Sequence, residues 1–326
     1  MDDLLTVLRA AGDPTRLRLL LLLQQAELTV SEMVQIVGQS QPRVSRHLKL
    51  LCDAGLLLRF KEGSWVFYRA AEKGLGAEFA REVARLAGEG EQAALEADRR
   101  RLGAVREAHA AVAQEFFKAN AAQWERLRSL HAPEKDVESA IVSLLDAPET
   151  MLDVGTGTGR MLELLSPHIR RGVGIDVSPE MLAIARDRLE RSSARNCQVR
   201  LGDARRLPFA DGSAEDGFDA VLIHQVLHYL EDPQTVVVEA ARILRGGGRM
   251  VIADFAPHDL EFLRTELAHR RLGFSDREVH GWFQAAGLKV TTAQSIAPDV
   301  SAKLTVRIWV AQNQSARQPK RTREAA

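Results

Sequence analysis

A glycine-rich loop between an apolar segment and a helix is the feature that most constrains the fold of this 326-residue chain. Residues 152–160 read Leu-Asp-Val-Gly-Thr-Gly-Thr-Gly-Arg, and residues 161–165 after them favour helix. Glycine lets the backbone turn tightly and lets a ligand approach the main chain. The spacing is G-x-G-x-G rather than the dinucleotide fingerprint G-x-G-x-x-G, and no Gly-Lys-Ser/Thr follows, so a phosphate-binding P-loop is excluded. The loop predicts a ligand site at the end of a strand.

Apolar segments alternate with helical ones after residue 150, which predicts βαβ units and a mostly parallel sheet. The second and third of these segments end in acids, Asp176 and Asp203. A carboxylate at such a strand end can accept hydrogen bonds from ribose hydroxyls. The predicted fold class of the whole chain is therefore α/β. The apolar segments span residues 151–154, 172–176, 198–201, 219–224 and 249–254.

As a set, these motifs resemble class I S-adenosylmethionine-dependent methyltransferases over residues 115–312, together with Ser-Pro-Glu-Met-Leu at 178–182 and Leu-Pro-Phe at 207–209. The resemblance implies a Rossmann-like seven-stranded domain whose last strand, at 304–311, is antiparallel. It implies S-adenosylmethionine, or S-adenosylhomocysteine as a ligand, in the site. By this resemblance, Asp153, Gly155, Gly157 and Gly159 bind the methionine moiety, and Asp176 binds the ribose hydroxyls. Met181 packs on the face of the adenine, and Asp203 and Ala204 contact its amino edge.

Methyl transfer needs alignment above all, and it needs a base only when the acceptor carries a proton. His224 and His228 follow the fourth apolar segment, where the acceptor side of the site begins. His224 is the candidate for acid/base catalysis, and a hydrogen-bonded histidine that shapes the pocket is the alternative. Asp254 is a further candidate. Aromatic residues at 116, 117 and 124 predict either a lid over the cofactor or ordinary core.

Residues 40–51, Ser-Gln-Pro-Arg-Val-Ser-Arg-His-Leu-Lys-Leu-Leu, predict an amphipathic helix. Apolar positions share one face, and the opposite face carries Gln41, Arg43, Ser45, Arg46 and Lys49. A short helix at 29–37 and a turn at 38–39 precede it, which is the arrangement that places a recognition helix in the major groove. Two strand-like segments flank residues 61–64 and predict a wing that presents Lys61. Residues 43–69 hold six basic and two acidic residues, a local excess suited to phosphates in a chain of zero net charge.

This segment resembles the ArsR/SmtB family of bacterial repressors over residues 1–72, through Asp-Pro-Thr-Arg-Leu-Arg at 13–18, Ser-Gln-Pro at 40–42, Val-Ser-Arg-His-Leu at 44–48 and Ala-Gly-Leu at 54–56. The resemblance implies a homodimer, formed by the first helix and the helix after the wing, on an inverted repeat in double-stranded DNA. Thr29 and Ser31 stand where metal-sensing members carry cysteines, and residues 74–90 contain no histidine, so we expect no metal site. Arg16 and Arg18 are expected to be solvated charges, and His47 to pack or to contact phosphate.

We expect four segments: a winged helix-turn-helix at 1–75, a helical dimerisation, linker and lid segment at 76–130, the methyltransferase domain at 131–312 and a disordered tail at 313–326. The apolar run at 19–23 is far too short to cross a bilayer, and acids occupy the start of the chain in place of a basic signal-peptide region. We therefore expect a cytoplasmic protein without membrane contact.

Two functions fit these observations. The first is a DNA-binding transcriptional repressor whose methyltransferase domain senses S-adenosylmethionine or S-adenosylhomocysteine. The alternative is a small-molecule methyltransferase, acting on quinol-, phenol- or thiol-type acceptors and tethered to its own regulator. Arsenic is an improbable acceptor. A soft metalloid calls for several thiolates, and Cys197 is the single cysteine of the second domain.

Overall fold

The computed structural model describes residues 2–62, 65–71, 74–88, 93–121, 134–211, 217–297 and 304–315. The chain divides into two compact units, Met1–Ala111 and Val112–Ala326. The division falls within the segment 76–130, for which the sequence predicts a helical connector. Most of the predicted disordered tail, from residue 316 onward, lies outside the described residues.

The first unit is a helix-turn-helix with a small sheet, as predicted. A buried apolar cluster holds it together, and Leu48 and Leu51 bring the recognition helix into this cluster. The remaining helices contribute Leu19, Leu20, Met33 and Ile36, among others. Its elements are α1 Asp2–Ala11, α2 Pro14–Leu23, β1 Leu28–Thr29, α3 Val30–Val37, α4 Gln41–Asp53, β2 Leu57–Glu62, β3 Trp65–Ala70, α5 Gly74–Gly88 and the larger part of α6 Ala93–Asn120.

Local side-chain chemistry sets where the helices begin and end. Asp13 caps α2 by accepting hydrogen bonds from the backbone N–H groups of Thr15 and Arg16, at 2.9 and 3.1 Å. Thr29 and Glu32 form a reciprocal capping box at the start of α3. Gly38 ends α3 with φ 69°, a left-handed conformation that glycine adopts without a Cβ penalty. Ser40 occupies the N-cap position of α4, but its side chain makes no capping hydrogen bond.

The wing is antiparallel and slightly larger than the sequence indicates. β2 pairs with β3 from Leu57↔Ala70 to Glu62↔Trp65, and β1 adds a third strand on the other side of β3. The two-residue β1 was not predicted, because a strand so short has no periodicity of its own.

Arg16 and Arg18 are not the solvated charges that the sequence suggests. Arg18 makes a two-pronged ion pair with Asp98 of α6, with both N–O distances at 2.6 Å and the Asp98 side chain 2% exposed. Arg16 donates hydrogen bonds to the carbonyls of Ala10 and Arg9 near the end of α1. The partners lie up to 80 positions away in sequence, so a helical pattern alone cannot show them.

The second unit contains, within its described residues, a seven-stranded sheet in the order β6-β5-β4-β7-β8-β10-β9. The first five strands are parallel, and β10 runs antiparallel to both β8 and β9, which confirms the predicted fold class. The strands are β4 Thr150–Val154, β5 Arg171–Asp176, β6 Cys197–Leu201, β7 Phe218–His224, β8 Leu244–Phe255, β9 Leu288–Ile296 and β10 Val306–Asn313.

Helices cover both faces of this sheet, which is why its central strands are apolar on both sides. On β4, Leu152 and Val154 join one buried cluster and Met151 joins the other. The helices of the unit, after the last turns of α6, are α7 Glu134–Leu145, α8 Arg160–Leu165, α9 Pro179–Arg191, α10 Pro233–Arg242, α11 Phe262–Glu266 and α12 Asp276–Ala285. Among the helices that the structure describes, none combines the length and apolarity needed to cross a membrane.

Candidate functional site

A cavity lies at the carboxyl ends of β4, β5 and β7. In an open parallel sheet, ligands bind where the chain reverses its direction of strand addition, and here that point is between β4 and β7. The cavity encloses about 910 Å³ of space, part of it open to solvent. Its walls include His224 and seven of the eight residues expected to bind the cofactor: Asp153, Gly155, Gly157, Asp176, Met181, Asp203 and Ala204.

The glycine-rich loop is folded tightly against its neighbours. The backbone N–H groups of Gly155 and Thr156 both donate to the carbonyl of Ile175, at 2.8 and 3.0 Å. Gly155 has φ 70°, and a Cβ there would lie 2.4 Å from Cγ2 of Val226. No side chain fits at this position, so the loop leaves main-chain groups facing the cavity.

Gly159, the eighth expected residue, has a different environment. It has φ 76°, and a Cβ there would lie 3.0 Å from the Cβ of Ala185 on α9. The structure therefore gives Gly159 a packing reason to be glycine, which is the close approach of the loop to α9.

Two carboxylates, the half-buried Asp176 and the buried Asp153, point to the chemistry of the ligand. Asp176 accepts hydrogen bonds from the backbone N–H groups of Gly157 and Ser178, at 2.8 and 2.9 Å. Burial raises the pKa of Asp176, and these hydrogen bonds act in the opposite direction. Asp153 is 2% exposed and accepts a hydrogen bond from the Thr156 hydroxyl at 2.7 Å. Carboxylates beside a bare backbone loop fit a ligand with hydroxyl and ammonium donors, and S-adenosylmethionine carries both.

Asp203 lines the cavity and has a partner within the chain. Its carboxylate is paired with the guanidinium of Arg205 at 2.7 Å, and that hydrogen bond lowers the pKa of Asp203. The carboxylate also accepts the Arg205 backbone N–H at 2.9 Å. An adenine amino group at this position would therefore have to share Asp203 with Arg205 or displace it.

Two aromatic side chains, Phe117 and Tyr229, line part of the cavity. The Phe117 ring lies edge-on to the Tyr229 ring, with the centroids 4.8 Å apart, and both residues line the cavity. The side chain of Phe116 and the whole of Trp124 lie outside the described residues. The aromatic lid remains a prediction. Of the three aromatic residues proposed for it, Phe117 is the one whose side chain is described, and it lines the cavity.

A histidine–carboxylate pair lies beside the cavity and was not linked by the sequence reasoning. His228 Nδ1 is 2.7 Å from Asp254 Oδ1, and both side chains are buried. The backbone N–H groups of Leu227 and Phe255 hold the Asp254 carboxylate, at 3.0 and 2.8 Å. His228 packs against Tyr229, a cavity residue, whereas His224 lines the cavity itself.

Two further cavity residues, Arg160 and Gln225, connect the site to α7. Arg160 binds the buried Glu138 through two hydrogen bonds of 2.9 and 2.8 Å. Gln225 has φ 54°, a left-handed conformation that is uncommon outside glycine, and its amide donates to Glu134 at 3.2 Å. Neither contact has a signal in the sequence, since the partners are 22 and 91 positions apart.

The second candidate surface is the recognition helix α4 with the wing. All six residues expected to contact DNA are exposed: Gln41, Arg43, Ser45, Arg46, Lys49 and Lys61. His47 is buried, and neither of its ring nitrogens has a hydrogen-bond partner among the described residues, so it packs inside the unit. Arg69 of the wing pairs with Glu27 at 3.2 Å, so its charge is neutralised and it no longer adds to the basic excess counted in the sequence.

In the described parts of the chain, no group of three or more His, Cys, Asp or Glu residues is placed to hold a metal ion.

Comparisons with known proteins find a family similarity for a segment of each unit. A family model described as "Methyltransferase domain" matches residues 152–252, and one described as "Bacterial regulatory protein, arsR family" matches residues 13–57. The uncharacterized methyltransferase YcgJ of Bacillus subtilis is 32% identical over 114 residues, which are 35% of this chain and 44% of the relative. Demethylmenaquinone methyltransferase of Thermus thermophilus is 39% identical over 120 residues, which are 36% of this chain and 51% of the relative. This chain thus spans about half or less of these relatives.

Solved structures resemble the second unit in fold. The methyltransferase in the complex with the Haloferax volcanii Trm112 activator has a TM-score of 0.53 at 24% identity, over 63% of this chain and 99% of that one. A second solved structure is N-methyltransferase NodS of Bradyrhizobium japonicum in complex with S-adenosyl-L-homocysteine. It has a TM-score of 0.50 at 20% identity, and the match covers 62% of this chain and 98% of that one. The match to the methyltransferase-domain model supports S-adenosylmethionine as the cofactor, and the two solved structures show the likeness in fold.

Replacing Asp176 with Asn should weaken binding of S-adenosylhomocysteine by about 10- to 150-fold, since hydrogen bonds to a charged group contribute about 1.5–3 kcal/mol. Isothermal titration calorimetry measures this directly. Asp187→Asn, an exposed carboxylate on α9 that pairs with Arg191, is the matched control and should bind as the wild type does. Equal affinity of Asp176→Asn and wild type would remove Asp176 from the site.

Replacing Arg46 with Ala should weaken binding to a specific DNA duplex by about 1–3 kcal/mol if the side chain reads a base. Fluorescence anisotropy with specific and random duplexes separates the two kinds of contact. A loss on the specific duplex alone indicates base reading, whereas an equal loss on both duplexes leaves only a phosphate contact. Unchanged affinity for both would place Arg46 outside the interface.

Proposed function

Because this chain joins an ArsR-family helix-turn-helix segment to a methyltransferase domain, we propose that it is a transcriptional repressor whose affinity for DNA depends on S-adenosylmethionine or S-adenosylhomocysteine bound in the second unit. The observation that carries the proposal is the convergence of seven cofactor-type residues on one cavity, in a chain whose recognition helix exposes a basic face.

Homodimer formation is part of this proposal. α1 exposes Leu4, Leu5 and Leu8, and α5 exposes Leu75 and Leu86, with 40–54% of each residue accessible. These are the two helices that the ArsR resemblance assigns to the dimer. A second copy of the chain that covered these leucines would bury apolar surface and would pair two recognition helices on an inverted repeat. We also propose a cytoplasmic location, because genomic DNA and S-adenosylmethionine are the expected ligands.

Regulation requires that the ligand bind the DNA-competent and DNA-incompetent states with different affinities. Coupling free energies between two sites are typically about 1–3 kcal/mol, which correspond to about 5- to 150-fold changes in affinity. The same factor must appear in the reverse direction, as a change in ligand affinity when DNA is bound.

The test begins with selection of an operator from random duplexes by the purified full-length chain. The dissociation constant for that operator is then measured without ligand and with saturating S-adenosylmethionine or S-adenosylhomocysteine. We expect at least one ligand to change it by about fivefold or more, and Asp176→Asn to respond only at much higher ligand concentration. The same dissociation constant under all three conditions would refute the sensor function.

A second candidate function is a small-molecule methyltransferase tethered to its own regulator. The observation that favours it is the presence of two histidines at the cavity: His224 lines it, and the His228–Asp254 pair lies beside Tyr229. S-adenosylmethionine, when bound, supplies an activated methyl group. His224 would accept the proton of an acceptor hydroxyl or thiol, and Asp254 would keep the His228 ring in one orientation and one tautomer.

The acceptor panel follows from the chemistry of the site and from the relatives. The demethylmenaquinone methyltransferase of Thermus thermophilus motivates a quinol acceptor, beside phenols and thiols. The arsenite methyltransferase of Halobacterium salinarum is 34% identical over 109 residues, but arsenite is a poor candidate here. Burial raises the pKa of the Cys197 thiol to about 11, and Cys197 is the single cysteine of the unit.

Turnover is measured with each acceptor as formation of methylated product. If the enzyme function is correct, His224→Gln should lower kcat by about 10²- to 10⁴-fold, the usual contribution of a general base, while the affinity for S-adenosylmethionine is unchanged. Hydrolysis of the cofactor without any methylated product, for every acceptor of the panel, would count against this second function.

A further inference from the structure

Two arginines hold the last carbonyl groups of α3, the helix that precedes the recognition helix. Arg101 of α6 donates a hydrogen bond to the carbonyl of Ile36 at 2.9 Å. Arg18 of α2 donates to the carbonyl of Val37 at 3.1 Å. Val37 is the last residue of α3, and the Gly38 turn leads from it to α4. These contacts therefore fix the point from which the recognition helix departs.

Asp98 connects both arginines to α6. It forms the two-pronged ion pair with Arg18, and its Oδ1 lies 3.8 Å from the guanidinium of Arg101. Its side chain is 2% exposed, and the hydrogen bond to Asp98 raises the pKa of Arg18. A buried ion pair of this geometry is costly to break because one partner would be left as an isolated charge. One turn of α6, residues 98–101, is thus bound to the end of α3, directly through Arg101 and through Arg18 in the case of Asp98. We call Asp98 and Arg101 the α6 clamp.

The same helix continues to the cofactor cavity. α6 is one helix from Ala93 to Asn120, and the division between the two units falls inside it, at Ala111 and Val112. Leu95, Leu102 and Val105 are buried near its beginning. Near its end, Phe117 lines the cavity and packs against Tyr229.

We propose that α6 transmits occupancy of the cofactor cavity to the recognition helix, through Phe117 at one end and the α6 clamp at the other. The inference rests on the proposed sensor function and names how that site is regulated. A ligand that fills the cavity packs on the Phe117 ring, and aromatic side chains offer large contact areas. Movements of about 1–2 Å along or about a helix are a common switching element. Such a movement displaces the clamp and, with it, the carbonyls that orient α4.

The test uses Arg101→Ala in the full-length chain, since this side chain is half exposed and its loss should leave the fold intact. Two quantities are measured: the dissociation constant for S-adenosylhomocysteine, and the operator dissociation constant with and without that ligand. We expect ligand affinity within about twofold of wild type, while the ratio of the two operator constants falls from about fivefold or more to nearly one. Arg100→Ala, on the exposed side of the same turn, is the matched control and should keep the wild-type ratio.

Phe117→Leu tests the other end of the helix and should also reduce the ratio, at ligand concentrations that saturate the variant. Asp98→Asn is a third variant, used if thermal unfolding shows that it folds. If wild-type DNA binding ignores both S-adenosylmethionine and S-adenosylhomocysteine, the sensor function fails and this inference with it. If wild type responds and Arg101→Ala responds equally, the sensor function stands and transmission through the α6 clamp is overturned.

Discussion

The close approach of the glycine-rich loop to its neighbours is the constraint on which the ligand site depends. The Gly155 position leaves no room for a Cβ, which would lie 2.4 Å from Val226, and the loop is bonded to the Ile175 carbonyl at the end of β5. Because the loop is held there, Asp153 and Asp176 face one cavity with bare backbone between them. The parallel sheet places this cavity where strand addition reverses, so the fold and the site have the same origin.

The first unit depends on a different kind of interaction. Its core is apolar, but the end of α3 is fixed by charged groups, the Arg18–Asp98 ion pair and the Arg101 hydrogen bond to Ile36. Directional contacts of this kind specify an orientation, whereas apolar packing mainly supplies stability. The helix that provides Asp98 and Arg101 also provides Phe117 to the cofactor cavity. A single covalent element therefore takes part in both candidate sites, which gives the regulator hypothesis a physical route.

Sequence patterns predicted the fold class, and seven of the eight residues expected to bind the cofactor line one cavity, since strand periodicity and glycine spacing are local properties. They failed where partners are distant: Arg18 and Asp98 are 80 positions apart, and His228 and Asp254 are 26 apart. β9 was not predicted because its exposed threonines, glutamine and serine resemble a loop more than a buried strand. Arg205 lies only two positions from Asp203, so this ion pair could have been predicted from the sequence.

We propose that the cavity and the recognition helix are coupled within one chain. Hydrogen exchange of the full-length protein with and without S-adenosylhomocysteine tests this coupling, since exchange reports the opening of individual backbone amides. If the two are coupled, the ligand should alter protection both in the loop at residues 155–159 and in the turn at residues 36–41, more than 100 positions earlier in the chain. Changes confined to the second unit, with residues 36–41 exchanging as in the ligand-free protein, would contradict it.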